Sequence, residues 1–361
     1  MKVAVVTDQL PLVEGTAAGR TLWAWCTGAR ELGHDVEVWS WGPEHYGQEK
    51  EIPGWCHWQP FAPPALDGPM WREHLRSMAR PRWALAHWPW QPPEGAIAIA
   101  EEARSYPAVA GSPRSAVTLH FSFLLDRLAL RRFTFSTVQD VRAERRAAHE
   151  ASVAFAYSKR VARVLGRKVR AVPIGYALPD EVLVPNEEPV ASIMADWSWP
   201  PNKQALSSLL NVWPDVVAAV PGARLLLAGR ALKPDELGPV PGLKVLGEVP
   251  QSLDVLSQTS VVAFPCPATS GPKVKVLEAL AYGIPVVTTP AGVEGLQLGP
   301  GEGALVAGQQ DFGQALINAL LSPAIRAALG TSGRAAVEKH HSPASAGRAR
   351  MEVFAAAFGA D

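Results

Sequence analysis

The chain has 361 residues, 48% of them apolar, and its 34 basic residues balance 34 acidic ones. At roughly 150 residues per domain this makes two domains, each with enough apolar residues for its own core. Zero net charge argues against a protein that lives on nucleic acid or holds a membrane through a polybasic patch, and a charged fraction of 19% argues against disorder.

Cys26, Cys56 and Cys266 are widely spaced and form no CxxC or Cys/His pattern. No zinc site or disulfide framework is expected, and the thiols read as reduced. The opening MKVAVVTDQL is too short an apolar run for a signal peptide. No stretch of about 18 apolar residues suggests a transmembrane helix. The expectation is a soluble, cytoplasmic, two-domain protein.

In chain order, Val3 to Val6 reads as a buried parallel strand, followed by a loop with Gly15 and Gly19. A helix is expected from Arg20 to Leu32, stopped by Gly33, and a strand from Asp35 to Trp41. This is the repeating unit of a doubly wound sheet. Residues 42–83 show no clear period. Short strands are expected at Ala84–Trp88, Ala116–Leu119, Ala151–Tyr157 and Val169–Pro173, with a basic helix around Ser158 to Leu165. Phe121 to Phe135, FSFLLDRLALRRFTF, reads as one helix of mixed apolar and basic character. It packs on the sheet or touches a membrane surface.

Pro179 to Pro189 is Pro-rich, acidic and aperiodic, and reads as the interdomain linker. The strand–helix pattern then restarts. Strands are expected at Val190–Met194, Arg224–Ala228, Leu243–Leu246, Val261–Phe264 and Pro285–Thr289. Helices are expected at Asn202–Val220 and Lys275–Tyr282, and a last amphipathic helix at Pro343–Phe358.

The most informative stretch is TSGPKVKVLEALAYGIPVVTT, Thr269 to Thr289. It reads as loop, helix, glycine stop and buried strand. Ser270 or Gly271 is expected to cap the helix, with Pro272 in its first turn. Such a helix start offers N–H groups to a phosphate. Lys273 and Lys275 crowd positive charge at an end that disfavours it, which an anion would explain. Glu278 follows Lys275 by three residues and shares its face. An ordinary surface Lys–Glu pair fits the same pattern.

The stretch resembles the donor-binding signature of nucleotide-sugar glycosyltransferases of the GT-B fold, family 4 type (glycosyl transferases group 1). The subgroup's signature runs S-G-T-R-I-K-V-L-E-A-L-A-x-G-x-P-V-V. Here Ser270, Gly271, Pro272, Lys273, Val274, Lys275, Val276, Leu277, Glu278 and Ala279 stand in it, and Ala291 to Leu296, AGVEGL, continues it. Upstream, DWSWPPNKQAL (Asp196 to Leu206), ARLLLAGR and VLGEVPQSLDVL (Val245 to Leu256) are similar to further segments of that subgroup. In the first half GHDVEVW, AVTLH and AVPIGY match more loosely.

The resemblance implies an α/β protein of two Rossmann-like, doubly wound domains facing a cleft. Residues 1–180 would form the acceptor domain, with the helix at 343–361 packing back on it, and 188–342 the donor domain. It further implies that Glu278 hydrogen-bonds the donor's ribose. Glu278 stands at the second carboxylate of the family's E-x7-E motif, and Ser270 stands at the first, which usually contacts the sugar. The family's diphosphate-binding Arg and Lys positions fall near Asp196 and Asn202, so Lys203, Arg230, Lys273 and Lys275 are the candidate replacements. Val249 would meet the base through its backbone, with Gly247 allowing close approach. Gly15 and Gly19 flank a loop for a phosphate or acceptor, or a plain turn. His120, at a strand end, would touch the donor sugar, and His87 is a weaker analogue.

Ten of the 13 tryptophans precede residue 91 (Trp23, Trp25, Trp39, Trp41, Trp55, Trp58, Trp71, Trp83, Trp88 and Trp90) and serve packing or an acceptor pocket. The expected activity is transfer of a sugar, with retention, from a UDP- or GDP-sugar to an acceptor hydroxyl or other nucleophile. His120 and Glu278 are its candidate catalytic residues. The acceptor would be a small molecule, a glycan or a lipid-linked species. No D-x-D occurs, so neither a metal nor another cofactor is expected. No G-x-G-x-x-G follows the first strand, which argues against a nicotinamide dehydrogenase, and no Walker A or G-x-S-x-G occurs, so P-loop NTPase and serine hydrolase readings fail. The alternative is a partner subunit of the same fold with weak or no catalysis, suggested by Ser270, Asp196 and Asn202.

Overall fold

A computed structural model describes residues 1–42, 52–60, 90–131, 133 and 135–359. The chain divides into two units, Met1–Ala177 with Ser342–Asp361, and Leu178–His341. The expected strand Ala84–Trp88, His87, Trp71, Trp83 and Trp88 lie outside the described residues.

Unit 1 is built on β1 (Lys2–Thr7), β2 (Asp35–Gly42), β3 (Cys56–Pro60), β4 (Ile97–Glu101), β5 (Ser115–Leu119), β6 (Val153–Ala156) and β7 (Val169–Ala171). They form one parallel sheet in the order β3-β2-β1-β4-β5-β6-β7. Strands β4, β5 and β6 are buried along their whole length, as expected of parallel strands covered on both faces. The strand order reverses between β1 and β4. In open α/β sheets, ligands meet the carboxyl ends of the strands at such a reversal.

Helix α1 (Ala17–Glu31) is capped by Thr16, whose hydroxyl accepts from Gly19 N at 3.0 Å. The C-terminal helix, Pro343–Phe358, lies against α1. Two glycines set this approach: a Cβ on Gly28 would fall 1.8 Å from the Pro343 carbonyl oxygen, and one on Gly347 would fall 2.3 Å from Ala29 N. Backbone therefore touches backbone, and Phe354 of the C-terminal helix meets Phe155 of β6 edge to face at 5.2 Å.

The single helix expected from Phe121 to Phe135 is two helices, α2 (Phe123–Leu130) and α3 (Phe135–Glu150). Arg131 ends α2 in the left-handed conformation, φ 50°, and its N–H returns to the Arg127 and Leu128 carbonyls. Neither Gly nor Pro marks this break, so the sequence pattern runs through it. Farther on, Ser158 caps α4 (Lys159–Leu165).

Unit 2 contains β8 (Val190–Met194), β9 (Arg224–Ala228), β10 (Leu243–Gly247), β11 (Val261–Phe264), β12 (Val286–Thr288) and β13 (Ala304–Val306). This sheet is also parallel, in the order β10-β9-β8-β11-β12-β13, and reverses between β8 and β11. Its helices are α5 (Pro200–Ala219), α6 (Leu253–Leu256), α7 (Val274–Ala281), α8 (Phe312–Leu321) and α9 (Pro323–His341).

The stretch expected as a linker is fastened to unit 2. Leu183 N donates to the Tyr282 carbonyl at 2.8 Å, and Asn186 N to that of Thr259 at 3.1 Å. The buried Arg326 guanidinium of α9 takes the Asn186 and Glu187 carbonyls at 3.1 and 2.8 Å. The aperiodic sequence reflects a segment without secondary structure, whose backbone polar groups are paired one by one.

Candidate functional site

In unit 2 the chain leaving β8 at the strand reversal carries Asp196. Its Oδ1 accepts from Ser198 N and Oγ at 2.9 and 2.6 Å, and its Oδ2 from the Arg230 guanidinium at 2.7 Å. Burial opposes ionisation, but these hydrogen bonds and the Arg230 charge hold the carboxyl below its usual range. Asn202, in the first turn of α5, donates from Nδ2 to the Asp196 carbonyl at 2.8 Å. Its Oδ1 accepts from Lys275 Nζ at 2.8 Å. That ammonium also lies 4.5 Å above the Phe264 ring at the end of β11. Burial pushes Lys275 down to about 8, and the Lys273 charge adds to the effect.

Arg230, Asp196, Asn202 and Lys275 thus form a continuous chain of hydrogen bonds. The sequence places Arg230 and Lys275 among the replacements for cations missing at positions 196 and 202. In the structure each contacts the residue at one of those positions. Lys203 is exposed.

Helix α7 starts one residue before the expected Lys275, but without the expected cap. Lys273 is its cap residue, without a side-chain cap bond, and Pro272 precedes it. The reason is the loop: Gly271 takes φ 76°, and Thr269 N is tied to the Pro267 carbonyl at 2.6 Å. Neither Ser270 nor Gly271 therefore caps the helix. Lys273 folds back and donates to the Ser270 carbonyl at 3.1 Å and to that of Gly271. Glu294, which sequence reasoning missed, accepts from Gly271 N at 3.4 Å.

Glu278 is buried and accepts from Ser252 Oγ at 2.7 Å. With Lys275 it lines a small pocket among Met194, Val255, Leu256 and Phe264. Val249 packs with Met194 on the apolar cluster that includes Val255. Gly247 has φ 71° at a register slip between β9 and β10. The structure therefore brings Lys275 and Glu278 together, with Val249 close by. Val274 is the first residue of α7.

In unit 1, His120 follows β5, and its Nε2 lies 2.8 Å from Glu101 Oε2 at the end of β4. Glu101 Oε1 accepts from Trp25 Nε1 at 2.9 Å and from Thr118 Oγ1 at 3.1 Å. Next in sequence, Glu102 lies 4.0 Å from His120 Nδ1 and pairs with Arg104 at 2.6 Å; Arg104 reaches Asp8, after β1, at 3.0 Å. Fully buried Arg350, from the C-terminal helix, donates to Thr118 Oγ1 and Tyr157 Oη at 3.0 and 2.8 Å. It stands 3.9 Å from Glu101.

Sequence reasoning singled out His120 but not its neighbours Glu101, Glu102, Arg104 and Arg350. The available signal was an acidic pair closing the otherwise apolar run IAIAEE. Gly19 has a packing reason as well, since a Cβ there would fall 2.2 Å from the Leu10 carbonyl oxygen; at Gly15 the nearest atom would be Leu12 Cβ at 3.1 Å.

Residues 188–322 match the family model Glycosyl transferases group 1. Sucrose-phosphate synthase from Thermosynechococcus elongatus superposes with a TM-score of 0.71 at 17% identity, over 99% of this chain and 100% of that one. HepE from Anabaena, in complex with UDP-glucose, gives 0.66 at 16% identity over 99% and 100%. TarM gives 0.58 at 12% identity over 72% of this chain, which spans 54% of TarM's length. No curated protein sequence matches the chain. These likenesses show the fold: two α/β units as in GT-B glycosyltransferases. Among the described residues no single helix is long and apolar enough to cross a membrane.

Proposed function

We propose that the chain transfers a glycosyl group from a nucleoside-diphosphate sugar, a UDP- or GDP-sugar, to an acceptor hydroxyl or other nucleophile, with retention and without a metal ion. The observation that carries this reading is the Arg230–Asp196–Asn202–Lys275 chain at the strand reversal of unit 2, with Glu278 beside Lys275. A departing diphosphate needs preorganised positive charge, which acts most strongly where water is excluded. Lys275 is partly buried and can gain a partner; Arg230 is exposed and can swing to a second phosphate oxygen. Glu278 would give up Ser252 to accept from the ribose hydroxyls, and Ser252 would remain as a further donor. Gly271 and the start of α7 would add backbone N–H groups in place of Glu294. HepE is a structural neighbour in complex with UDP-glucose, which supports the donor class.

The alternative, a partner subunit without catalysis, draws on one contact. The Glu294 carboxylate rests on Gly271 N, where a phosphate would be received. A thermal-shift panel of UDP, GDP, ADP and TDP, with and without magnesium, separates the two readings. A nucleotide at 100 times its dissociation constant adds about 2.7 kcal/mol of stability. The transferase reading expects stabilisation by UDP or GDP that does not depend on magnesium. Stabilisation by none of the four favours the partner subunit.

A further inference from the structure

The ends of β1, β4 and β5 in unit 1 gather more charge than the proposed reaction by itself requires. Asp8, Glu101 and Glu102 face Arg104 and Arg350. Three carboxyl groups stand against two guanidiniums; burial pushes that of Glu102 upward against the opposing charges of Arg104 and His120, and His120 is the cluster's remaining basic group. The other titratable neighbours stay neutral. Tyr157, whose ring meets the His120 ring edge-on at 5.1 Å, is pushed upward by burial, and so is the Cys26 thiol near Glu101.

Glu101 is committed to this arrangement on every side. Trp25, Thr118 and His120 all donate to it, and Arg350 is the nearby countercharge. Arg350 is itself held among the faces of Trp25, Phe155 and Tyr157 at 4.6, 5.0 and 5.4 Å, so it cannot turn away to water. Glu102 adopts φ 70°, a left-handed conformation that a non-glycine residue rarely takes. In that conformation its carboxylate reaches Arg104 and lies within charge range of His120 Nδ1, beyond hydrogen-bond distance.

We propose that Glu101 and Glu102 are positioning residues that hold His120 as an imidazolium, with Nε2–H given to Glu101 and Nδ1–H free for an oxygen of the ligand of unit 1. His120 is then a standing cationic donor and not a base. Burial opposes its charge, but the hydrogen bond and charge of Glu101, followed by Glu102, outweigh it and raise the imidazole above its ordinary value. Glu101 responds in the opposite sense, held below the usual carboxylate range despite its burial. A hydroxyl oxygen would fit this donor: it could accept from Nδ1–H and pass its own proton toward Glu102. That last statement rests on the glycosyl-transfer reading; the protonation state of His120 does not.

The test is a pH titration of the histidine ring signals of the full chain by NMR, with the His120 signal identified by its loss in His120→Asn. The expected result is a His120 that is protonated at pH 7. Its midpoint moves to lower pH in Glu101→Gln and, less far, in Glu102→Gln. If Glu101→Gln does not fold, Glu102→Gln on the more open side of the ring carries the comparison. A neutral His120 at pH 7, or a midpoint that neither substitution moves, overturns the proposal. With a sugar nucleotide that turns over, kcat should fall as pH rises through that midpoint, and the fall should shift with it in Glu102→Gln. If nothing turns over, the transferase reading fails while the ring titration still answers.

Discussion

The two sheets end in opposite electrostatic designs at the same topological place. Where unit 1 reverses its strand order, Glu101 at the end of β4 and Glu102 after it approach an imidazole, Asp8 after β1 pairs with Arg104, and a guanidinium arrives from a helix far along the chain. Where unit 2 reverses, an exposed guanidinium pairs with the Asp196 carboxylate, and a partly buried ammonium bonds the Asn202 amide, which in turn donates to the Asp196 backbone carbonyl. Unit 1 is saturated: its charges are paired in place. Unit 2 is poised: among the described residues Lys275 has one hydrogen-bond partner, the neutral Asn202 amide, and it has lost part of its hold on the proton. A shared fold fixes where a ligand can approach, while the residues at the strand ends decide which charge it meets.

The largest effect that breaks this comparison is expected at Gly28. Its Cβ position is occupied by the Pro343 carbonyl, so Gly28→Val must push the C-terminal helix, and Arg350 with it, away from α1 and the rest of unit 1. Overpacking of this kind costs about 1–3 kcal/mol, and the loss of Arg350 from a buried carboxylate adds to it. Chemical denaturation should show the lowered stability, while calorimetric nucleotide affinity should stay within about twofold, because the unit 2 residues are untouched. Equal damage to both would mean that the two sites are not separable.

A smaller effect sharpens the unit 2 side. Glu278→Ala leaves Ser252 Oγ without its acceptor and removes the expected ribose contact. Affinity for the preferred nucleoside diphosphate should fall about tenfold, near 1.4 kcal/mol, as read by titration calorimetry. Unchanged affinity would remove Glu278 from the site.

Much of this architecture was legible before the structure. Strands β1, β8, β9 and β11 are short β-branched or leucine runs with turn residues after them, and burial on both faces makes such runs conspicuous. Strand β4 escaped notice because IAIAE is short and alternates isoleucine with alanine. The break between α2 and α3 was invisible because Arg131 adopts a left-handed conformation that sequence patterns do not assign to arginine. The same limit applied to the site. Lys275 and Glu278 belong to one helix and are read together, whereas Arg350 meets Thr118 across 232 positions of sequence, beyond the reach of any local pattern.

The central claim is that Lys275, partly buried at the start of α7, receives the diphosphate. The direct measurement is titration calorimetry of UDP and GDP, without magnesium, against the chain and against Lys275→Met, at pH 7 and pH 9. Burial lowers Lys275 to about 8, so its charge is present at the lower pH and largely gone at the higher. The account predicts that one of the two nucleotides binds at pH 7, weakens toward pH 9, and binds Lys275→Met about 10- to 100-fold less tightly, with little further loss at pH 9. Equal affinity in the two proteins, or an affinity that is the same at both pH values, would contradict it.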